Sequence, residues 1–316
     1  MRKLVVALLL FTACSRERAP IVVGSKNFTE SVILGELVAQ KLEANGCKVE
    51  RHLNMGGTLV ADSAITSGAL DAYVEYSGTA LTAILKKPIA TDRAAVDRIV
   101  SAEYAKRGLH WGPALGFNNT FAMIVRKSYA QQHGLKTISD LQRVGGEVRP
   151  GFGYEFVERP DGWNGLRSHY KLETRIPPAT MDLGLTYKAL ASETADLIAG
   201  NSTDGLIESL GLVALEDNQR YFPPYDAAVV YRNDVDRKCA GASKAMQSLA
   251  GTIDDASMRR LNFEVDGKKR DVAEVVREWL QSRHGRLRMW QSLHLAADSA
   301  GRRDYDDTFG VIRSRR

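Results

Sequence analysis

The sequence predicts an α/β fold, because strand and helix patterns alternate along a chain that is long enough to bury a sizeable core. The first predicted strand is the apolar run 20–24, which ends at a glycine. The first helix is predicted from Phe28 to Leu42, where apolar residues recur at helical spacing, and Asn45-Gly46 is a typical helix end. Strands that are separated by helices usually pair in parallel, and we expect that pairing here.

The next elements continue the alternation. Residues 47–53 alternate between apolar and polar side chains, as a half-buried strand does. A glycine-containing turn at 54–58 leads into a second helix, which is predicted to end at Ser67-Gly68. Residues 69–76 again have the pattern of a strand.

An internal correspondence suggests two similar halves. The segment 67–77 aligns with the segment 192–202 at a constant offset of 125, with Ser, Asp and Ser at equivalent positions. Either two α/β turns look alike by chance, or two lobes each contribute one strand end to a shared cleft. Ligands of open α/β sheets bind at the carboxyl ends of strands. The second interpretation therefore places Tyr76 and Asn201 on opposite sides of a ligand.

Two segments are predicted to cross between the lobes. Each is a turn that runs into a strand, at 118–125 and at 222–231. We therefore expect lobe I to comprise residues 21–122 and 223–285, and lobe II to be an insertion of residues 123–222.

Charge and motif content exclude several functional classes. The chain has 43 Lys and Arg against 38 Asp and Glu, but these residues are scattered and form no basic stripe for nucleic acid. The sequence contains neither a glycine-rich phosphate loop nor a Gly-x-Ser-x-Gly motif, and none of the six His lies in a metal-spaced pair. We therefore expect a binding protein that is not an enzyme and that has no catalytic residue, cofactor or metal.

The first residues have the pattern of a bacterial export signal. Two basic residues precede the apolar run 4–11, which is too short to span a bilayer. Cys14 follows small residues, as in a bacterial lipoprotein box, although Phe11 is less usual there than Leu. We predict a signal peptide at 1–13 and a lipidated tether at 14–20, with a plain secretory signal as the alternative. The protein would be periplasmic or at the cell surface, held at the membrane by its acyl anchor.

The other two cysteines are Cys47 and Cys239. An exported protein can keep a disulfide, but the sequence does not place the two Cα atoms within bonding reach. We expect two free, buried thiols, with a single disulfide as the alternative.

A series of motifs resembles the substrate-binding proteins of osmoprotectant ABC importers, which take up glycine betaine, choline and related quaternary amines. The series runs in family order from about Ile21 to about His284. Its members are Gly24–Ser31, Glu75–Thr79, Asn118–Thr120, Arg159–Gly162, Met181–Tyr187, Ser202–Gly205 and Phe222–Tyr225. The resemblance implies a two-lobed periplasmic-binding-protein fold of type II, with the ligand in the interlobe cleft and two crossing strands as the hinge.

The resemblance also implies how a ligand is held. A quaternary ammonium has no hydrogen-bond donor and is bound by aromatic faces. The family's cage of four tyrosines corresponds here to Tyr76, Phe121, Asn201 and Tyr225, so one ring lacks its hydroxyl and one ring is missing. The family's carboxylate-binding positions correspond to Lys26 and Arg159. The predicted ligand-binding set is completed by Thr79, as a hydroxyl donor, and by Asn119.

The predicted ligand is a small zwitterionic or quaternary-amine solute similar to glycine betaine, which a monomeric receptor delivers to the transmembrane subunits of an ABC permease. Asn201 removes one cation–π face and adds an amide, which would instead suit an amino-acid-like or hydroxylated zwitterion. A further alternative is a surface scaffold with the same fold and no role in transport.

Residues 286–316 continue beyond the part of the chain that carries the resemblance. Their Arg and Asp residues predict a solvated C-terminal extension. The alternative is a segment that contacts anionic lipid or another protein.

Overall fold

The computed structural model describes residues 19–283, so the predicted signal peptide, Cys14 and the C-terminal extension lie outside the described residues. The strands are β1 (Ile21–Gly24), β2 (Val49–His52), β3 (Ala72–Tyr76), β4 (Leu109–Asn118), β5 (Phe121–Arg126), β6 (Pro150–Gly153), β7 (Ala179–Met181), β8 (Leu197–Asn201), β9 (Leu212–Leu215) and β10 (Asp226–Arg232).

The helices follow the same chain order. They are α1 (Thr29–Ala44), α2 (Thr58–Ser67), α3 (Ser77–Thr79), α4 (Arg93–Lys106), α5 (Lys127–His133), α6 (Tyr154–Glu158), α7 (Trp163–His169), α8 (Leu183–Ala191), α9 (Leu206–Ser209), α10 (Val235–Lys238), α11 (Ala242–Gln247), α12 (Asp255–Asp266) and a last helix over 272–283. A π-helical turn, Ala80–Ile84, continues α3, and a 3-10 helix covers Ile138–Arg143. Within residues 19–283, no helix combines the length and the apolar character needed to cross a bilayer.

The strands form two five-stranded sheets, one in each lobe. The order is β2-β1-β3-β10-β4 in lobe I and β7-β6-β8-β5-β9 in lobe II. The predicted parallel pairing holds for β1 with β2 and β3, and for β6 with β7 and β8. The strands that enter from the opposite lobe, β5 and β10, are antiparallel to their neighbours. The predicted α/β class is therefore confirmed, with a mixed sheet in each lobe.

The internal correspondence extends to the position of strands in the sheets. The strands β3 and β8 are 125 residues apart, and each is the third strand of its sheet. Each also pairs with a strand that arrives from the other lobe, β10 and β5 respectively. Tyr76 and Asn201 are therefore equivalent residues, because each ends the central strand of its own sheet.

Helix α1 covers the sheet of lobe I and positions the site at its beginning. Its apolar stripe of Ile33, Leu37 and Val38 is buried. Gly35 allows the helix to approach β1 closely, because a Cβ there would lie 3.0 Å from the carbonyl oxygen of Gly24. The first turn of α1 is therefore held against the carboxyl end of β1.

The chain crosses between the lobes through two segments that lie side by side, 119–120 and 216–225. The backbone N–H of Asn119 donates to the carbonyl of Tyr225 at 3.0 Å. The N–H of Tyr225 in turn donates to Oδ1 of Asn118 at 2.6 Å. Because these hydrogen bonds tie the two segments together, they form one double-stranded passage between the sheets.

The expectation of two free thiols is wrong, because Cys47 and Cys239 form a disulfide with a Cα–Cα distance of 5.6 Å. Cys47 follows the end of α1, and Cys239 follows α10. Beside the bridge, Nδ2 of Asn45 donates to the carbonyl of Ala240 at 3.3 Å. The sequence alone did not favour this bridge, because 192 residues separate the two cysteines.

Removal of the disulfide should lower the free energy of unfolding by about 2–4 kcal/mol, because the bridge restricts a long loop of the unfolded chain. The double variant Cys47→Ser, Cys239→Ser is compared with the wild type by urea unfolding under oxidising conditions. The reduced wild type is the matched control and should unfold at the same urea concentration as the double variant. Equal stability of the oxidised wild type and the double variant would contradict the prediction.

Candidate functional site

A buried ion pair lies at the boundary between the lobes, in the loop between α6 and α7. Arg159 donates to both carboxylate oxygens of Asp161, from Nε at 2.9 Å and from Nη2 at 2.6 Å. Its Nη1 donates to Oγ1 of Thr79 in lobe I at 3.1 Å, and the hydroxyl of Tyr225 donates to Asp161 at 2.5 Å. Burial would raise the pKa of Asp161, but the hydrogen bonds and charge of Arg159 outweigh it and hold that pKa below its usual value. The pair therefore joins lobe II, lobe I and a crossing segment.

Aromatic rings pack around this ion pair. Phe121, the first residue of β5, meets Tyr225 edge to face with ring centroids 5.5 Å apart. The guanidinium carbon of Arg159 lies 5.2 Å from the centroid of Phe121. Phe156 and Phe222 support Phe121 from other sides, at 4.8 and 5.7 Å. Phe121 thus keeps a ring in the predicted cage, although it has no hydroxyl.

A second buried cation lies immediately before α1. Nζ of Lys26 is 2.6 Å from Oε1 of Glu75 and 4.7 Å from the centroid of the Tyr76 ring. Lys26 and Glu75 are 3% and 0% exposed, so this is a desolvated pair. The backbone N–H of Lys26 donates to Oγ of Ser31 at 2.8 Å, which fixes the residue against the first turn of α1. Within the described residues, Oε2 of Glu75 is buried and has no hydrogen-bond partner.

The carboxylate of Glu30 accepts hydrogen bonds from both lobes. Oε1 accepts from the hydroxyl of Tyr76 and from Nδ2 of Asn119, both at 2.7 Å. Oε2 accepts from Oγ1 of Thr203 in lobe II at 2.5 Å and from Nδ2 of Asn262 on α12 at 2.9 Å. Burial raises the pKa of Glu30 to about 7, although the hydrogen bonds from Thr203, Tyr76 and Asn262 oppose this effect.

Asn201 lies next to the cage residues at the end of β8. It is directly opposite Phe121 in the β5–β8 register. Its backbone N–H donates to Oδ2 of Asp204 at 2.9 Å, and the hydroxyl of Tyr187 donates to the same oxygen. Burial raises the pKa of Asp204 to about 6. The contacts of Asn201 therefore lead to Asp204 and to Phe121, which belongs to the second sheet through β5 although the expected boundary placed it in lobe I. A role of Asn201 in ligand binding stays a prediction.

A further contact closes the lobes on the α2 side. The backbone N–H and the hydroxyl of Thr58 in lobe I donate to the carboxylate of Glu155 in lobe II, at 2.6 and 3.0 Å. The approach is close at Gly57, because a Cβ there would lie 2.0 Å from Oε1 of Glu155 and would displace that carboxylate. Neither side chain was assigned a role from the sequence.

The structure brings most of the predicted ligand-binding residues into two connected groups. One group contains Thr79, Phe121, Arg159 and Tyr225, and the other contains Lys26, Tyr76 and Asn119. The hydrogen bond from Asn119 to the Tyr225 carbonyl connects the two groups. Sequence reasoning did not assign the carboxylates Glu30, Glu75 and Asp161 to the site. They stand within the quoted motifs, but acidic residues are usually solvated, and nothing in one sequence marks them as buried.

Comparison with known proteins assigns the family. Residues 19–282 match the substrate-binding domain of ABC-type glycine betaine transport systems. The chain therefore belongs to this family, and the predicted resemblance is confirmed.

Individual proteins show the same relationship. The chain is 32% identical over 276 residues to the ergothioneine transport permease/ergothioneine binding protein EgtU of Helicobacter pylori strain G27, covering 87% of this chain and 50% of that protein. It thus spans about half the length of that relative. It is 33% identical over 285 residues to a glycine-betaine-binding protein of Pseudomonas aeruginosa, covering 87% of this chain and 91% of the relative.

A solved structure confirms the type II two-lobed fold. The crystal structure of a glycine betaine/carnitine/choline ABC transporter superposes with a TM-score of 0.70 at 30% identity. The alignment covers 84% of this chain and 98% of that one.

Proposed function

We propose that the interlobe site binds a small zwitterion of the glycine betaine type, and that the protein is a monomeric receptor, not an enzyme, that delivers this solute to an ABC permease. The family assignment supports the receptor role. The charge balance of the site is the observation that supports the ligand class.

The two buried cations of the site each have a carboxylate partner, Lys26 with Glu75 and Arg159 with Asp161. The two pairs together carry no net charge, and Glu30 adds none while it is protonated, which its raised pKa favours below pH 7. Burial of an uncompensated charge is costly, so such a site favours a ligand whose own charges sum to zero. Choline, which is a cation without a carboxylate, fits this balance less well than glycine betaine does.

Both cations keep donors for a ligand carboxylate. The lysine ammonium has three N–H groups and uses one for Glu75, whereas the guanidinium has five and uses three for Asp161 and Thr79. Tyr76, Phe121 and Tyr225 would provide ring faces for the ammonium end of the ligand, beside the contacts that these rings already make with Lys26 and Arg159. The groups present therefore match both ends of a zwitterion.

Asn201 supports an alternative ligand of the same class, namely a zwitterion other than glycine betaine. An amide replaces the ring of the family's cage at the position opposite Phe121, which would suit an amino-acid-like or hydroxylated zwitterion. The Helicobacter pylori relative, whose name refers to ergothioneine, shows that a relative of this chain is associated with a solute other than glycine betaine.

We also propose that Cys14 is lipidated and that the acyl chain holds the receptor at the membrane surface beside its permease. The support is the sequence pattern of the first 14 residues. When the gene is expressed with its own signal in a Gram-negative host, the protein should sediment with membranes and the Cys14→Ser variant should not. Equal partitioning of the two proteins would refute the anchor.

Glycine betaine should stabilise the protein against heat, and choline should do so more weakly. A ligand at a hundred times its dissociation constant adds about 2.7 kcal/mol to the free energy of unfolding. A melt screen with glycine betaine, carnitine, ergothioneine and choline measures this stabilisation. If none of these solutes shifts the melt of the wild type, the proposed ligand class is wrong.

The predicted binding of a ligand carboxylate by Lys26 and Arg159 is tested in the same screen. Arg159→Ala should reduce the betaine-dependent shift more than Lys26→Ala, because a planar guanidinium can bind a carboxylate with two hydrogen bonds. The exposed Arg167 of α7 provides the control, since Arg167→Ala should leave the shift unchanged. Each variant is compared with its own ligand-free melt. A full betaine shift in both site variants would remove these residues from the site.

Asn201→Tyr should increase the affinity for glycine betaine, because it restores the fourth ring of the cage. One cation–π contact in a desolvated site contributes about 1–2 kcal/mol, which is roughly five- to thirtyfold in affinity. Calorimetric titration measures the change, and Asn201→Phe separates the ring from the hydroxyl. Tight binding by the wild type, with no gain in either variant, would show that Asn201 does not contribute to the site.

A further inference from the structure

Glu30 differs from the other buried carboxylates of the site because it has no cationic partner among the described contacts. Its four donors are the neutral groups of Tyr76, Asn119, Thr203 and Asn262. By contrast, Glu75 and Asp161 are paired with Lys26 and Arg159. A buried carboxylate that is held only by neutral donors is poorly compensated when it is ionised.

We infer that Glu30 couples closure of the lobes to the uptake of a proton, because its carboxyl group connects the ring of Tyr76 in lobe I to Thr203 in lobe II. The inference deepens the proposed function, since Tyr76 belongs to the same site. Glu30 is then a positioning residue, which acts on a ligand through Tyr76 and not by direct contact.

The surroundings of Glu30 can accommodate the protonated form as well as the ionised form. Oδ1 of Asn119 and Oδ1 of Asn262 are both buried and have no hydrogen-bond partner within the described residues. A rotation of the Asn119 amide would exchange Nδ2 for Oδ1 and provide an acceptor for the O–H of protonated Glu30, whereas the Asn262 amide is held in place because its Nδ2 also donates to the carbonyl of Thr203 at 3.0 Å. The hydroxyl oxygens of Tyr76 and Thr203 can also accept a hydrogen bond from this O–H.

The direction of the coupling follows from burial. In the closed structure the pKa of Glu30 is about 7, against an ordinary value of 4.5. Opening would admit water and remove the effect of burial, which is the largest cause of the shift, so the pKa would move back toward its ordinary value even though the hydrogen bond from Thr203, which lowers it, would be lost. The closed form therefore binds the proton more tightly. The free energy that favours closure is fully present below pH 4.5 and is lost as the pH rises through 7.

Other charged and titratable groups near Glu30 do not reverse this direction. Asp204, after β8, adds repulsion that raises the pKa of Glu30 further. Asp204 accepts from Tyr187, and its own pKa is raised to about 6 by burial. On α12, Asp266 accepts from Thr29, and burial raises its pKa as well.

The nearest buried cation, Lys26, lies over the Tyr76 ring and is paired with Glu75. Because Asp204 would titrate in the same direction as Glu30, an Asp204→Asn control is needed to separate the two groups.

The first experiment uses no ligand. Infrared titration of the full chain should show the carbonyl band of a protonated carboxylic acid that disappears with a midpoint near pH 7. Glu30→Gln, which keeps the shape of the side chain, should remove this band, whereas Asp204→Asn should keep it. Small-angle scattering should show that the wild type expands between pH 5.5 and pH 7.5, with no pH effect in Glu30→Gln. A band or an expansion that survives in Glu30→Gln would overturn the inference.

The second experiment uses glycine betaine as the probe. Calorimetry in buffers of different ionisation enthalpy should show proton uptake on binding near pH 6. The affinity of the wild type should fall by up to roughly twentyfold between pH 5.5 and pH 7.5, and that of Glu30→Gln should stay constant. Thr203→Val, which removes the hydrogen bond from lobe II to Glu30, should move the pH dependence to higher pH, because that hydrogen bond lowers the pKa of Glu30. Undiminished proton uptake in Glu30→Gln would refute the coupling.

The two experiments separate the inference from the proposed ligand. If glycine betaine does not bind but the infrared band and the expansion follow Glu30, the ligand assignment fails and the coupling stands. If betaine binds without proton uptake and Glu30→Gln leaves the band unchanged, the proposal of a betaine receptor is retained and the proposed coupling of Glu30 to closure is wrong.

Discussion

The buried ion pair of Arg159 and Asp161 is the interaction on which the boundary between the lobes depends. Removing two charges from water costs several kcal/mol for each ion, and their mutual attraction offsets this cost only when further hydrogen bonds satisfy both groups. Tyr225 from a crossing segment and Thr79 from lobe I provide such bonds. Phe121 shields the guanidinium from one side. The position of each of these residues is therefore set by the need to keep one arginine and one aspartate satisfied away from solvent.

The elements of the fold could be predicted from the sequence because their signals are local. Apolar periodicity located α1, and the alignment at an offset of 125 identified β3 and β8 as equivalent strands. The antiparallel direction of β5 and β10 was not predicted, because it follows from the chain entering each sheet from the other lobe. Strand direction there depends on tertiary connection and not on residue pattern.

The chemistry of the site was only partly predictable, and the reason is again physical. Resemblance identified the cations Lys26 and Arg159, but their counterions and the carboxylate of Glu30 were missed. A glutamate in the first turn of a helix usually interacts with the helix dipole at the surface. The packing of α12 and the 202–204 turn over Glu30 contributes to its burial, and these segments lie more than 170 residues further along the chain.

The disulfide has a consequence for how the chain responds to proteolysis. Its two cysteines lie in lobe I, and the covalent loop that they close contains the whole of the second sheet. A single cut at any bond within that loop would leave two fragments that are still covalently joined. Damage to lobe II would therefore leave the molecular mass of the oxidised protein essentially unchanged, and the fragments would separate only after reduction.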